Sequence, residues 1–188
     1  LSLRGSVCLY QGEELGLPEA EVPFERIQDP YGKVLWPEFK GRDGCRTPMP
    51  WRQAAQGDFS SVEPWLPIDE RHLPLAVANQ EDDANSVLHA TRILLNFRRQ
   101  HPVLREGDIQ LVDVGDELLG FLREHDGQRM LCLFNLTGTE LSTALPQAYA
   151  GGARLLKGTG FTAELDEAQP QTARLVLPPY QAAFLALD

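Results

Sequence analysis

Residues 7–16 read VCLYQGEELG, and this stretch decides how the rest of the chain is read. Val7-Cys8-Leu9-Tyr10 is a short, uninterrupted apolar run between Gly5 and Gly12. A strand with one face in water alternates apolar and polar residues, whereas a continuous run fits a parallel strand covered on both faces. The run ends in a Gly-flanked loop, Gln11 to Gly16, that carries Glu13 and Glu14. In parallel α/β folds functional groups gather at the C-terminal ends of strands, which makes these two glutamates candidate site residues. Adjacent glutamates are also common on a solvated face or in the first turn of a helix, and the local sequence leaves both readings open.

Downstream lies a long irregular tract, Gln11 to Asn79. Its prolines at 18, 23, 30, 37, 48, 50, 64, 67 and 74 exclude long helices. Its aromatics, among them Phe24, Trp36, Trp51 and Trp65, argue against disorder. A tract this long with little regular structure is normally functional rather than a neutral linker. Within it, residues 41–51 read GRDGCRTPMPW, where Arg42 and Arg46 flank Asp43 in a loop held by prolines and Trp51. Arginine presents a fixed fork of donors that grips carboxylates or pairs of sugar hydroxyls. One of the two is expected to staple the loop through Asp43; local sequence does not decide whether the other faces a ligand.

Residues 84–100 read ANSVLHATRILLNFRRQ, without Pro or Gly, and Val87, Ala90, Ile93, Leu94 and Phe97 recur at three- and four-residue steps. That spacing predicts a helix, with Asn85 or Ser86 as its cap, Arg98, Arg99 and His101 complementing its C-terminal dipole, and Pro102 as its stop. From about Gly107 onward the texture is β. Strands are predicted at Asp108–Val112, Leu118–Glu124, Arg129–Asn135, Glu140–Ala144, Arg154–Lys157, Thr172–Leu177 and Ala182–Leu187, with a hairpin turn at His125-Asp126-Gly127-Gln128. Seven short strands in this span point to an antiparallel sandwich or Greek-key unit.

The formal net charge of −10 repels phosphate backbones, so neither nucleic acid nor an anionic membrane is an expected partner. No window approaches the roughly 20 apolar residues of a membrane helix. The opening LSLRGSVCLY lacks an initiator Met and a basic leader, and reads as a cut rather than a signal peptide. Cys8, Cys45 and Cys132 are odd in number and far apart, which excludes a disulfide framework or a zinc site and fits a reducing, cytoplasmic setting. Cys8 and Cys132 sit in apolar runs and are expected to be small buried thiols. The four histidines show no ligand spacing, and His89 is expected on the helix as a solvent-facing or satisfied residue. No GxSxG and no phosphate-cradling loop occurs, so neither a metal nor a cofactor is implied.

Two of these segments together carry a family resemblance. VCLYQGEELG resembles the last barrel strand and following loop of bacterial α-glucosidases and oligo-1,6-glucosidases of the α-amylase family (glycoside hydrolase family 13), and GRDGCRTPMPW resembles their RD-x-x-RTPM-x-W segment. Gly57-Asp58-Phe59-Ser60, Glu63-Pro64-Trp65-Leu66, Val77-Ala78-Asn79-Gln80 and LLNFRRQHPVL fit the same order. The resemblance covers essentially the whole chain. It implies residues 1–101 as the last strand, long loop and last helix of a β/α barrel, and 102–188 as an antiparallel Greek-key β-sandwich domain. It also implies that the nucleophilic Asp, the acid/base Glu and the stabilising Asp all precede this region; no NHD motif occurs, and no residue here is assigned as catalytic.

What carries over is a substrate-binding role for Arg42, a carboxylate bordering the leaving group at Glu13 or Glu14, and a scaffold of Asp43, Arg46, Pro48 and Trp51. The implied substrate is an α-glucoside and the implied partner is the N-terminal barrel portion, without which the chain is expected to be inactive and to oligomerise or swap its strand. A sucrose isomerase or trehalose synthase shares these motifs. A non-catalytic carbohydrate-binding or interaction module built on the β zone is the reading of a different class.

Overall fold

The computed structural model describes residues 1–166 and 173–188. It divides into two compact units, Cys8–Arg92, and Leu1–Val7 together with Ile93–Asp188. The division falls inside a single helix, Val87–Gln100.

In Cys8–Arg92 the prolines keep every element short. Single 3₁₀ turns lie at Glu13–Leu15, Phe24–Arg26, Asp43–Cys45 and Ala55–Asp58, a longer one at Glu70–Leu75, and two one-turn helices are α1 (Pro30–Val34) and α2 (Val77–Glu81). The core is correspondingly small: Val22, Ile27 and Leu66 are buried with Trp36 packed against them, and Phe24 meets the Trp36 ring at 5.6 Å between centroids. Buried polar groups supply the remaining order. The Gln80 side chain donates to the carbonyls of Leu15 (2.8 Å) and Leu75 (2.9 Å) and accepts from Leu88 N–H (3.0 Å). Helix α3 (Val87–Gln100) starts three residues later than its pattern predicts, because Ser86 Oγ accepts the His89 N–H at 3.3 Å and so caps it. Such a cap contributes about 1 kcal/mol. His89 is satisfied through Nδ1, which lies 3.0 Å from both Ser86 Oγ and the Gln80 carbonyl.

The other unit is a two-layer β-sandwich. The strands are β1 (Asp108–Val112), β2 (Leu118–His125), β3 (Gln128–Asn135), β4 (Leu141–Ala144), β5 (Arg154–Leu155), β6 (Glu164–Asp166), β7 (Arg174–Leu177) and β8 (Ala182–Leu187). All ladders are antiparallel, in a five-stranded sheet of order β1-β2-β3-β8-β5 and a three-stranded sheet of order β4-β7-β6. Asp126 (φ 47°) and Gly127 (φ 76°) form the turn between β2 and β3, where positive φ at both central residues matches the strand twist. Leu131, Leu133 and Leu185 face Leu175 and Leu177 between the sheets. Met130, Cys132 and Phe184 face the opposite way, against Phe97 of α3 and against Val103 and Leu104 of α4 (Pro102–Arg105). β3 and β8 are covered on both faces, which is why MLCLF and AAFLAL are continuous apolar runs although their ladders are antiparallel. Each fully buried leucine contributes about 1.5–3 kcal/mol.

Two arginines are buried in this unit, and among the described residues neither forms an ion pair with a carboxylate. Arg98 donates to the carbonyls of Leu1 (2.7 Å), Leu3 (3.0 Å), Gly5 and Leu104 (2.7 Å). Arg123 donates to those of Ser2, Leu104 (2.8 Å), Gly107 (2.8 Å) and Asp108 (3.0 Å). Burial lowers the pKa of both.

Several expectations need correction. Val7–Tyr10 is in no sheet, and Val7, Leu9 and Tyr10 are exposed; a parallel strand exists only against a neighbour, and no described strand pairs with it. Cys8 shares that exposure and is not a buried thiol, whereas Cys132 is buried. α3 does end at Gln100, before Pro102, but Pro102 also opens the short helix α4 from its first position, where its missing N–H is harmless. Arg98 serves as an internal hydrogen-bond donor rather than a solvated partner of the helix dipole. β6 and the short helix α5 (Gln147–Ala150) were not expected, β4 and β5 are shorter than predicted, and Thr172 of the predicted strand Thr172–Leu177 lies outside the described residues. Among the described residues no helix is long and apolar enough to cross a membrane.

Candidate functional site

The loop after Tyr10 turns on Gly12, whose φ of 95° only glycine adopts without strain, and whose carbonyl accepts the N–H groups of Leu15 (3.1 Å) and Leu17 (3.0 Å). A Cβ at Gly12 would sit 3.0 Å from Leu17 Cδ1. Glu13 and Glu14 occupy the first turn of the 3₁₀ segment, and their carboxylates part. Glu14 folds back so that its Oε2 accepts the Gly12 N–H at 2.7 Å. Glu13 Oε2 accepts the Tyr10 N–H at 3.1 Å, and Glu13 lines a cavity of about 300 Å³ that Glu14 does not reach.

Arg42 forms the other wall of that cavity, with His72 and Cys45 nearby. Gly41 (φ 77°) precedes it and the 3₁₀ turn Asp43–Cys45 follows. The Arg42 side chain is exposed, and among the described residues its guanidinium has no hydrogen-bond or ion-pair partner. Its backbone is held on both sides: the N–H donates to Asp29 Oδ2 (3.0 Å), and the carbonyl accepts from Cys45 N–H (3.3 Å) and from the Cys45 thiol (3.0 Å).

Asp43 and Arg46 lie behind this wall. Asp43 is 1% exposed, and its Oδ2 accepts the N–H groups of Gln28 (2.6 Å) and Asp29 (2.8 Å). Arg46 Nη1 stands 3.7 Å from Asp29 Oδ2 and 3.8 Å from Asp43 Oδ1, so its charge is shared between two buried carboxylates. Asp29 is held below the usual carboxylate range, chiefly by the Arg42 N–H; burial opposes this, and the N–H groups of Tyr31 and Gly32 and the charge of Arg46 add to it. Trp51 fastens its loop through the backbone, donating to the Gly57 carbonyl at 2.8 Å and accepting from Ala78 at 3.0 Å, while half of the residue is exposed.

Of the predicted residues, the structure therefore brings Glu13 and Arg42 to one cavity and places Glu14, Asp43, Arg46 and Trp51 in the loop scaffold. Sequence reasoning missed two others. Asp29 caps α1, accepting the Tyr31 N–H at 2.9 Å, and Asp29-Pro30 is a legible signal, a capping residue before proline at the first helical position. His72 is buried with Nε2 2.7 Å from the Pro18 carbonyl, and no local signal marks it. Among the described residues no group of His, Cys, Asp and Glu is disposed to hold a metal ion. An unpaired guanidinium on a residue that lines the same cavity as Glu13 offers donors, and the carboxylate acceptors, to a polyhydroxylated ligand.

Comparison with known proteins shows what the chain is similar to. The family model described as "Alpha amylase, catalytic domain" matches residues 1–107, and one described as "D-apionate lactonase, C-terminal immunoglobulin-like domain" matches residues 115–185. A probable α-glucosidase of Rhizobium meliloti (strain 1021) is 48% identical over the whole chain, and probable oligo-1,6-glucosidase 3 of Bacillus subtilis (strain 168) is 27% identical over 96% of it. The chain spans only about a third of these curated relatives, 32% and 35% respectively. The crystal structure of an α-glucosyl transfer enzyme, XgtA, superposes with a TM-score of 0.89 at 47% identity, covering all of this chain and 34% of that one. A trehalulose synthase structure at 24% identity (TM-score 0.80) shares the fold.

Proposed function

Because the chain belongs to the α-amylase family, we propose that it is the C-terminal part of an exo-acting, retaining α-glucosidase that removes terminal α-linked glucose from small oligosaccharides or sucrose-like glucosides. Residues 1–101 then form the last elements of its barrel and 102–188 its β domain. The catalytic carboxylates come from the preceding portion of the polypeptide. In that family reaction one carboxylate forms a covalent glucosyl-enzyme and another protonates the leaving group and then activates water. This chain's part is to hold the sugar. Arg42 donates its planar fork to hydroxyls of the non-reducing glucose, fixing the orientation in which the anomeric carbon is attacked. Glu13 borders the leaving-group side.

The observation that carries the reading is the unpaired guanidinium of Arg42 on the same cavity as Glu13. The test is product analysis with the full-length enzyme. It should release glucose from the non-reducing end with the α-configuration retained at the first turnover, and the present chain alone should not hydrolyse p-nitrophenyl α-glucoside. Initial release of β-glucose, or internal cleavage of long glucans, refutes it; so does turnover by the isolated chain that Glu14→Gln abolishes.

One observation favours a second reading. The 47% identity to an α-glucosyl transfer enzyme supports transfer of the glucosyl group to a hydroxyl acceptor other than water. Raising the concentration of an added alcohol acceptor should then convert released glucose into glucoside; a product ratio insensitive to acceptor favours plain hydrolysis.

A further inference from the structure

Among the described residues no hydrogen bond or ion pair fixes the Arg42 guanidinium, so its direction depends on its own main chain, and the structure shows what holds that main chain. Asp29, 8% exposed, accepts the Tyr31 N–H on Oδ1 (2.9 Å) and the Arg42 N–H on Oδ2 (3.0 Å). Asp43 returns the contact, its Oδ2 accepting the N–H groups of Gln28 (2.6 Å) and Asp29 (2.8 Å). Each carboxylate thus grips the backbone beside the other, and Arg46 bridges the pair at 3.7 and 3.8 Å.

Two glycines let the segments close. A Cβ at Gly41 would lie 2.9 Å from Asp29 Cβ, and one at Gly32 would lie 2.6 Å from the Lys40 carbonyl oxygen. The 28–32 segment therefore abuts the chain immediately before Arg42, the Asp29 side chain against Gly41 and Gly32 against the Lys40 carbonyl, so the Asp29 segment and the Arg42 main chain are held close together.

We infer that Asp29 is a positioning residue for substrate recognition: through the Arg42 N–H it aims the Arg42 guanidinium at the sugar. The inference rests on the reading of Arg42 as the sugar clamp. It gives the tract between Gly16 and Gly41 a function, since that tract supplies the carboxylate that orients a binding residue outside it.

The experiment is a double-mutant cycle in the full-length enzyme with p-nitrophenyl α-glucoside, at a temperature where circular dichroism shows every variant folded. Asp29→Ala should lower kcat/KM about tenfold or more, mainly through KM, the scale of a hydrogen bond to a charged group. Asp29→Asn, which keeps one acceptor oxygen, should recover part of the loss. In an Arg42→Ala background Asp29→Ala should change kcat/KM by less than about twofold, because its effect passes through Arg42. Loss by the same factor in both backgrounds overturns the inference, as does no loss with Arg42 present. If Asp29→Ala does not fold, Asp29→Asn carries the same cycle. Should Arg42→Ala alone leave kcat/KM intact, it is the sugar-clamp reading that has failed, and the inference falls with it.

Discussion

Replacing Arg42 with lysine keeps a positive charge on the cavity wall and removes the planar fork. Among the described residues the exposed guanidinium has no hydrogen-bond or ion-pair partner, so the substitution breaks no polar fold contact and should leave the melting temperature unchanged. What is lost is donor geometry toward the ligand. A hydrogen bond involving a charged group is worth about 1.5–3 kcal/mol, which at about 1.36 kcal/mol per decade is a ten- to hundredfold fall in kcat/KM. Arg46→Lys is the control, because the two arginines lie four residues apart and do opposite things. Arg46 stands 3.7 and 3.8 Å from two buried carboxylates, and a lysine's single ammonium serves both less well. That variant should melt lower, with kcat/KM per folded molecule close to wild type. The assay pairs initial-rate kinetics of the full-length enzyme on p-nitrophenyl α-glucoside with thermal melts of the same preparations. If Arg42→Lys leaves kcat/KM untouched while Arg46→Lys abolishes it without lowering the melting temperature, the roles of the two arginines are reversed.

Arg123→Met should cost at least about 2–3 kcal/mol in urea unfolding, since it strips buried donors from the carbonyls of Ser2, Gly107 and Asp108, each unsatisfied group costing about 1–3 kcal/mol; a loss below about 1 kcal/mol refutes the count. Asp69 is held well below the usual carboxylate range, first by the Arg71 guanidinium and then by the N–H groups of Glu21 and Arg71, against the opposing effect of burial. A depressed folded pKa contributes stability that is complete above the unfolded value near about 4 and is lost as pH falls through the folded one, so Asp69→Asn should flatten the fall of melting temperature between about pH 4 and pH 2. Equal slopes for the two proteins remove Asp69 from the acid response. Burial pushes the Cys132 thiol up to about 12, so a thiol reagent should label Cys8 and Cys45 of the native chain and reach Cys132 only after denaturation; three labels on native protein contradict it.

The parts of the fold that show in the sequence are those whose signal is local and repeated. The three- and four-residue spacing from Val87 to Phe97 marks α3, and Asp126-Gly127 between two apolar runs marks the β2–β3 hairpin with its register. β6 was missed because Glu164-Leu165-Asp166 is too short and too polar to register as a strand, and it forms only as the partner of β7. Val7–Tyr10 shows the converse, an apolar run that reads as a strand but whose ladder must come from elsewhere. At the site, residue type and position marked the Gly12 loop with Glu13 and Glu14 and the Arg42/Arg46 pair as candidates, but did not choose between the two glutamates or the two arginines; the family resemblance singled out Arg42. Which arginine would be tied down was not legible, because Arg46 is tied to Asp29, 17 residues away, as well as to Asp43. Buried arginines whose partners are carbonyls leave no trace in sequence at all, since every residue carries a carbonyl.

The shared grip of Arg98 and Arg123 on Leu1 to Gly5 also sets an order of events during synthesis. The hydrogen bonds from Arg98 span up to 97 residues and that from Arg123 to Ser2 spans 121. A ribosome adding about 5–20 residues per second needs on the order of ten seconds to cover that distance. Throughout that interval residues 1–5 have been made and their anchors have not. Until then the carbonyls of Leu1, Ser2, Leu3 and Gly5 lack their arginine donors, and the segment is open to chaperones and to other nascent chains. Early capture of this segment, or a slowed passage through codons 98–123, acts on the yield of folded protein without altering the stability of the molecule once it is made.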